Sequence, residues 1–336
     1  MMKKDKMDSM SHMSRRQFLQ YAGVSLAAGS VFARPDSSIA ASTTVPVIDT
    51  HTHFYDPTRP QGVPWPPGTD PLYKPHLPEH FRILTEKHGV VGTVVVEASS
   101  WLRDNQWILD LAKDNPVIVG YVGNLELDKP EFAGHLERFS ENPIFRGLRL
   151  HELALTRNLD NRAFRDDLCR LADRQLTLDL VGSVRMLPAI ERLAEFVPGL
   201  RIVIDHLPFR EWDGDSIAAR RALNMIAGLP NVYAKISDVV RRVDERIVEE
   251  PEFYRPVLDV LWKLFGPDRA MFGSNWPVCE RIAPYASVIK VVTEYFSTKE
   301  QSEAEKFFWK NSQAAYQWKP RGKVPAHIDL EKDRYE

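Results

Sequence analysis

From Val45 onward, short apolar runs alternate with longer stretches in which apolar and polar positions recur at helical spacing. Runs of about four to eight apolar or β-branched residues, bounded by turn residues, are typical of strands that are buried on both faces. The eight predicted strands are VPVIDTHTH (45–53), TVVVEAS (93–99), PVIVGYVGNLEL (116–127), FRGLRLHEL (145–153), LTLDLVG (176–182), RIVIDHLPF (201–209), VYAKISDVV (232–240) and AMFGSNWP (270–277).

The stretches between these runs are predicted helices. In RAFRDDLCRLADRQ, Phe164, Leu168 and Leu171 recur at helical spacing, and the same spacing predicts that Cys169 is a packed helix residue. Alternating strands and helices indicate a parallel sheet. Eight repeats of roughly 35 residues are the content of a (β/α)8 TIM barrel. The sequence has no glycine-rich phosphate loop after a predicted strand, which would have indicated a doubly wound sheet instead. The sequence therefore predicts one α/β barrel domain over residues 41–320.

Two segments do not fit the repeat. The proline-rich loop 54–79 after the first strand contains Trp65 and is long enough to cover the barrel mouth, although a packed surface loop is the alternative. The helix SEAEKFFWKNSQAAYQWK (302–319) is expected to close the barrel, and residues 321–336 form a charged C-terminal tail.

The first forty residues have the features of an export signal. Lysines and the pair Arg15–Arg16 precede an apolar run that ends in small residues, which is the pattern of a twin-arginine signal. The run is too short for a bilayer span, which needs about twenty residues. We therefore expect recognition by the twin-arginine export machinery, cleavage after Ala33 or Ala40, and a periplasmic or secreted protein. The alternative is a basic amphipathic surface helix.

Composition narrows the function classes. The 336 residues include 44 basic and 46 acidic side chains, which gives a net charge of −2 and no support for nucleic-acid binding. Two cysteines, Cys169 and Cys279, cannot form a disulfide framework, and we expect two separate buried thiols.

Candidate chemistry lies at the predicted strand ends, where active sites of such barrels are found. Four of the ten histidines fall there: His51, His53, His151 and His206. His51 and His53 are two residues apart on a strand and therefore share a face. Neutral imidazoles at this spacing suit a divalent metal, and two hydrogen-bonded core histidines are the alternative. Asp49 would face the same way and orient one imidazole.

Several motifs, in order, resemble one family. IDTHTHFYDP, VVVEAS, WILDLAKDNPVIVGYVGNLEL, VIDHLPF, NVYAKIS and MFGSNWPV are similar to segments of the amidohydrolase-related, metal-dependent TIM-barrel hydrolases, and most of all to lactonases of the fuconolactonase and pyrone-dicarboxylate type. The resemblance spans residues 45–318. It implies a divalent metal, with zinc the first expectation, held by His51, His53 and His206, either alone or together with Glu97. Some lactonases of this kind work without metal, so a metal-free site is the second expectation.

The chain departs from this family at two positions. Many members have a catalytic aspartate in a GSDWP motif where this chain has Asn275, and the strand-five histidine of metal-binding relatives is missing, since LDLVG offers only Asp179. An amide forms hydrogen bonds but cannot act as a general base near neutral pH. Asn275 therefore counts as a candidate catalytic residue whose role differs from that of the family aspartate.

The remaining candidates surround the mouth. Glu97, at the end of the second strand, is predicted to activate water, or instead to pair with Arg149 or Lys235 in a structural network. His151 is predicted to stabilise an oxyanion or relay a proton. Arg149 and Lys235 are predicted to hold a substrate carboxylate or hydroxyl group, because their side chains donate charged hydrogen bonds.

Two tryptophans complete the set. Trp65 and Trp101, in the loops after the first two strands, are predicted to stack on a substrate ring or to pack against the barrel rim.

The favoured hypothesis is an exported hydrolase that opens a lactone or a related small cyclic ester with activated water. One alternative is a non-hydrolytic decarboxylase of the same family. The other is a periplasmic small-molecule binding barrel with reduced catalysis, which Asn275 and the missing histidine favour. A barrel fold by itself does not decide among them.

Overall fold

Eight parallel strands follow one another around a sheet in the computed structural model, which describes residues 45–207 and 217–322. The strands of the sheet are β1 (Val47–Thr52), β2 (Val90–Val96), β3 (Ile118–Gly123), β4 (Phe145–His151), β5 (Thr177–Val181), β6 (Arg201–Leu207), β7 (Val232–Ile236) and β10 (Ala270–Phe272). A small hairpin of β8 (Arg242–Val243) and β9 (Arg246–Ile247) lies between the last two. All eight predicted strands are confirmed, although most end earlier than the sequence suggested.

The sheet curves until its first and last strands meet. Thr52 forms a parallel bridge to Trp276. Backbone hydrogen bonds join His53 N to Trp276 O at 2.8 Å and Asn275 N to His51 O at 2.8 Å. These contacts bring the segment after β10 against the end of β1. The predicted (β/α)8 barrel is therefore confirmed.

Helices connect successive strands and cover the outside of the barrel. They are α1 (Pro78–Thr85), α2 (Leu102–Asp114), α3 (Phe132–Ser140), α4 (Glu152–Asn158), α5 (Arg162–Asp173), α6 (Leu187–Phe196), α7 (Ile217–Ala227), α8 (Pro251–Phe265), α9 (Tyr285–Phe296), α10 (Gln301–Glu305) and α11 (Asn311–Tyr316). Within the described residues, no helix combines the length and the apolar character that crossing a membrane requires.

Helix α5 shows how the apolar spacing positions a helix. The Asn161 side chain caps it by accepting a hydrogen bond from Ala163 N, and Phe164, Leu168 and Leu171 are buried against the barrel. Burial of each such side chain contributes about 1.5–3 kcal/mol. The prediction for Cys169 is wrong, because this residue lies on the outer side of the same helix and is exposed. Cys279 is buried as expected.

The long loop after β1 is pinned at several points. Tyr55 and His76 bridge its two ends through backbone hydrogen bonds of 3.0 and 2.9 Å. Arg59 forms an ion pair with Asp104 at the start of α2. These contacts hold the loop against the barrel at the end where the strands finish.

The C-terminal helices close the opposite end. Arg201, the first residue of β6, donates to Ala315 O at 2.6 Å, and Asn311 Nδ2 donates to Ala270 O, the first residue of β10, at 2.7 Å. Tyr316 and Trp318 are buried beneath the strands. The predicted closing helix is confirmed. The predicted signal (1–40) and all but the first two residues of the predicted tail (321–336) lie outside the described residues.

Candidate active site

Strand β1 places two histidines side by side inside the barrel. His51 and His53 are separated by one residue, their ring centroids are 5.0 Å apart, and both are buried. Residues two positions apart on a strand point to the same face, which accounts for the shared direction of the two rings, as the sequence predicted. His53 N donates to Trp276 O and His51 O accepts from Asn275 N, and these two backbone hydrogen bonds fix the positions of both histidines along the barrel axis.

Strand β6 contributes a third histidine in an unusual backbone conformation. His206 has a φ of 62°, and the pairing of β6 with β7 shifts register between Ile204 and Leu207. Consecutive strand residues normally face opposite sides. Here the local distortion lets both Asp205 and His206 approach His51, whose ring centroid is 4.4 Å from that of His206.

This arrangement offers donors for a cation. Ligand atoms of His51, Asp205 and His206 lie within 4.8 Å of one another. His51 Nε2 is buried and has no hydrogen-bond partner among the described residues. Such an orphaned buried atom is rare and calls for an explanation. Imidazole and carboxylate donors suit zinc and similar divalent ions, so these residues fit a divalent metal.

The histidines are held in the neutral form that binds metals. Burial lowers the pKa of His53 to about 3, and the charge of Arg149 adds to that effect. Burial likewise lowers the pKa of His51 and that of His206. His53 Nδ1 lies 2.9 Å from Val96 O. A carbonyl only accepts, so Nδ1 carries the proton and Nε2 keeps its lone pair.

Above the histidines a cavity of about 440 Å³ opens at the barrel mouth. Seven of the predicted site residues line it: His53, Trp65, Glu97, Arg149, His151, His206 and Asn275. His51 lies below this surface, because it is completely buried. The structure therefore brings most of the predicted site into one pocket.

The wall of the cavity carries a charged pair. Glu97 Oε1 and Arg149 Nε are 3.1 Å apart. His151, at the end of β4, lies at the exposed rim, and partial removal of its ring from water lowers its pKa. Trp65 comes from the pinned loop and packs edge to face on His53 at 6.1 Å between ring centroids. The cavity thus offers a carboxylate, a guanidinium, an imidazole and an aromatic face.

Comparison with known proteins places this arrangement in a family. The sequence model of the amidohydrolase family matches residues 48–318. The chain belongs to the amidohydrolase family. It is 31% identical over 239 residues to the L-fucono-1,5-lactonase of Burkholderia ambifaria, which covers 69% of this chain and 80% of the relative. The L-fucono-1,5-lactonase of Burkholderia multivorans is 29% identical over 280 residues, which covers 78% of this chain and 92% of the relative.

A solved structure extends the likeness to three dimensions. An amidohydrolase from Burkholderia multivorans with bound zinc superposes with a TM-score of 0.72 at 27% identity, and the match covers 82% of this chain and 100% of that one. The family resemblance predicted from the motifs is confirmed. Family membership and these relatives together make the chain a hydrolase.

Asn275 places an amide side chain inside the site of this amidohydrolase. Asn275 is buried, has a φ of 63°, and lies at the cavity surface. A hydrogen bond between its side chain and the His53 ring raises the pKa of His53, although burial and Arg149 lower that pKa by more. Asn275 can therefore orient a histidine or a ligand, but it carries no charge.

Two predicted substrate contacts are not found at the cavity. Lys235 is completely buried beneath His51, with Nζ 2.8 Å from Asp179 Oδ2 and 2.9 Å from Asp205 Oδ1. It does not reach the cavity, so the prediction that it holds substrate is wrong. Trp101 is not among the cavity-lining residues either, and its ring packs against the Arg103 guanidinium at 4.4 Å.

Asp49 also differs from the expectation. Its Oδ1 accepts hydrogen bonds from the backbone of His51 at 3.1 Å and of Ser274 at 2.9 Å, and its Oδ2 accepts one from Tyr285 at 3.2 Å. Asp49 therefore holds the backbone of β1 in place. The carboxylate beside the imidazole belongs to Asp205, whose Oδ1 is 3.4 Å from His51 Nδ1.

Sequence reasoning assigned no role to three residues of the site. Asp205 and Ser237 were visible only as polar residues near strand ends, and Ser237 Oγ lies 2.9 Å from His206 Nδ1. Asn124 lines the cavity just beyond β3. Asn124 lies within a long apolar run of the sequence, so it was not recognised as a site residue. A polar residue directly after a barrel strand is nevertheless a feature that indicates an active-site position.

Proposed function

We propose that this hydrolase is a metal-dependent lactonase that opens a sugar-derived lactone or a related small cyclic ester by addition of water. One observation carries the proposal: histidines from β1 and β6 converge at the floor of a cavity whose wall carries Glu97 and Arg149. The lactone-hydrolysing relatives support the choice of substrate class.

The residues that would hold the metal are His51, His53 and His206, with Asp205 close by. Zinc is our first choice, because imidazoles suit it and a related amidohydrolase contains it. A divalent ion bound there would make a nearby water more acidic and polarise an ester carbonyl.

The protein side chains would supply the remaining steps. Glu97 is the one carboxylate among the described residues that line the cavity. It would accept the proton of the attacking water and return it to the ring oxygen as the C–O bond of the ester breaks. Arg149 and His151 lie where they would donate hydrogen bonds to the ring carbonyl oxygen as negative charge develops on it. Trp65 would pack against the face of the ring.

Lactone opening releases acid, so a pH-stat assay with a panel of aldonolactones that includes L-fucono-1,5-lactone tests the proposal. We expect proton release that stops on exhaustive chelation and returns with zinc. Full activity after chelation, or unchanged activity in the double variant His51→Ala, His53→Ala, would overturn the metal-dependent mechanism. Carbon dioxide release from a carboxylated aromatic, with no lactone opened, would favour the decarboxylase alternative.

Asn275 favours a second candidate, a binding barrel with reduced catalysis, because it replaces a possible base with a neutral amide. This candidate predicts that lactones raise the thermal unfolding midpoint without being hydrolysed by either the wild type or Asn275→Asp. Hydrolysis by the wild type would exclude it.

We also propose that residues 1–40 direct export through the twin-arginine route, on the evidence of Arg15, Arg16 and the apolar run that follows. Fractionation of cells that produce the full chain tests this proposal. The wild type should reach the periplasm or the medium, and the variant Arg15→Lys, Arg16→Lys should stay in the cytoplasm. Export of both to the same extent would contradict it.

A further inference from the structure

Beneath His51 lies a set of buried side chains that the proposed reaction does not use. We call Asp179 on β5, Asp205 on β6, Lys235 on β7 and Tyr316 on α11 the buried array. All four have zero exposure. Tyr316 donates to Asp179 Oδ2 at 2.7 Å, and Lys235 Nζ lies between the two carboxylates at 2.8 and 2.9 Å. None of the four lines the cavity.

The array carries more negative than positive charge. Two carboxylates face a single ammonium group, and burying charges away from water is expensive unless each is paired and hydrogen-bonded. Lys235 has its ammonium group 5.5 Å from the centroid of the Tyr316 ring as well, so it is enclosed on that side by an aromatic face. Because Lys235 is shared between two carboxylates, the carboxylate of Asp205 can accept a further hydrogen bond. The polar atom next to it is His51 Nδ1, which lies 3.4 Å from Asp205 Oδ1.

Two tautomers of His51 are compatible with these distances. In one, Nδ1 carries the proton and donates to Asp205. In the other, Nε2 carries it, and Nδ1 accepts from Lys235 Nζ, which lies 3.3 Å away. The second tautomer turns a lone pair toward an anionic carboxylate and leaves a buried N–H at Nε2, for which the described residues provide no acceptor. The first avoids both penalties.

We propose that Lys235 and Asp205 are positioning residues that fix His51 as the Nδ1–H tautomer, so that its Nε2 lone pair is presented to a divalent cation. Lys235 holds the carboxylate of Asp205 in place, and Asp205 fixes the imidazole. Metal-binding histidines commonly donate their other ring N–H to a carboxylate in this way. Because the cation belongs to the proposed function, this inference rests on it, but its test does not depend on finding a substrate.

The tautomer can be read directly. Long-range ¹H–¹⁵N spectra of the metal-free, full-length protein distinguish Nδ1–H from Nε2–H imidazoles, and the signals lost in His51→Asn assign His51. We expect the Nδ1–H pattern in the wild type. An Nε2–H pattern would overturn the proposal, because it would mean that Lys235 donates to His51. This measurement uses the wild-type fold, so it remains decisive if a substitution in the array prevents folding.

Metal affinity gives an independent readout. Zinc titrations against a chromophoric chelator should show roughly ten- to a hundredfold weaker binding in Asp205→Asn and Lys235→Met. Asp49→Asn is the matched control: it makes the same change in a buried carboxylate that contacts the backbone of His51 and not its ring, so affinity should stay at the wild-type level. Equal losses in Asp49→Asn and Asp205→Asn would show a merely structural role and contradict the proposal. A failure to hydrolyse lactones would leave both measurements unaffected.

Discussion

Glu97 Oε1 and Arg149 Nε are 3.1 Å apart in the wall of the cavity, although their strands β2 and β4 are separated by β3 in the sheet. Both side chains are largely buried, at 10% and 13% exposure. The pair leaves this part of the wall without net charge. It therefore suits an uncharged, hydrogen-bonding ligand such as a lactone better than a polyanion.

Replacing Glu97 with glutamine should separate catalysis from packing. The amide keeps the shape and loses the ability to accept a proton, so kcat should fall by roughly a hundredfold or more, while KM changes little. Steady-state lactone hydrolysis measures both constants.

The control for this prediction is a double variant. Glu97→Gln alone leaves the Arg149 charge without its partner, which should lower the thermal unfolding midpoint. Glu97→Gln with Arg149→Gln should recover part of that midpoint but no activity. If activity returned together with stability, the pair would have a structural role alone.

The two tryptophans predicted from the loops should behave differently. Trp65 lines the cavity and packs on His53, whereas Trp101 packs on Arg103 outside it. Trp65→Ala should raise the KM for a lactone by about fivefold or more, since an aromatic contact of this kind is worth about 1 kcal/mol beyond the area it buries. Trp101→Ala, the matched control, should leave KM within experimental error. Equal effects would mean that the loops act through stability and not through ligand contact.

Acid should loosen the loop that carries Trp65. Burial lowers the pKa of His76 to about 4, with the charge of Lys74 as the next contribution. A histidine with a depressed pKa in the packed state stabilises that state fully above its ordinary value near 6.5, and the stabilisation is lost as the pH falls from there toward 4. Limited proteolysis within residues 54–79 should therefore accelerate over this range while circular dichroism shows the barrel intact.

The control for the acid effect is His76→Phe, which fills the same aromatic contact with Tyr55 without a titrating group. Its proteolysis should be nearly independent of pH between 6.5 and 4. A wild-type rate that stays constant over the same range would refute the link between His76 and the loop.

Much of the site could be predicted from the alternation of side chains along strands, but the contacts that depend on backbone distortion could not. The pairing of His51 with His53 needs only the two-residue period of a strand. The approach of Asp205 together with His206 needs a positive φ, which few non-glycine residues adopt and which no sequence pattern announces here. Lys235 was placed in the cavity because a strand pattern predicts direction and not depth along the barrel axis.

Asn275 allows the most direct test of how this chain departs from its family. Asparagine and aspartate both tolerate the positive φ of 63°, and the backbone hydrogen bond from Asn275 N to His51 O does not involve the side chain. Asn275→Asp should therefore fold normally while adding a carboxylate at the cavity surface beside His53. We expect zinc to bind at least roughly tenfold more tightly, a gain of about 1.4 kcal/mol, because a carboxylate is a better ligand for a divalent ion than an amide.

The companion variant Asn275→Gly keeps the backbone conformation and removes the side chain. Chelator competition should place its zinc affinity at or below that of the wild type, since the amide contributes orientation of His53 and no charge. If Asn275→Asp and Asn275→Gly bind zinc equally, the side chain at this position does not face the ion, and the three histidines, with His51 held in place by Asp205, would account for the site without it. If only Asn275→Asp binds zinc, the wild-type chain is a metal-free barrel, and the mechanism must then rest on Glu97, Arg149 and His151.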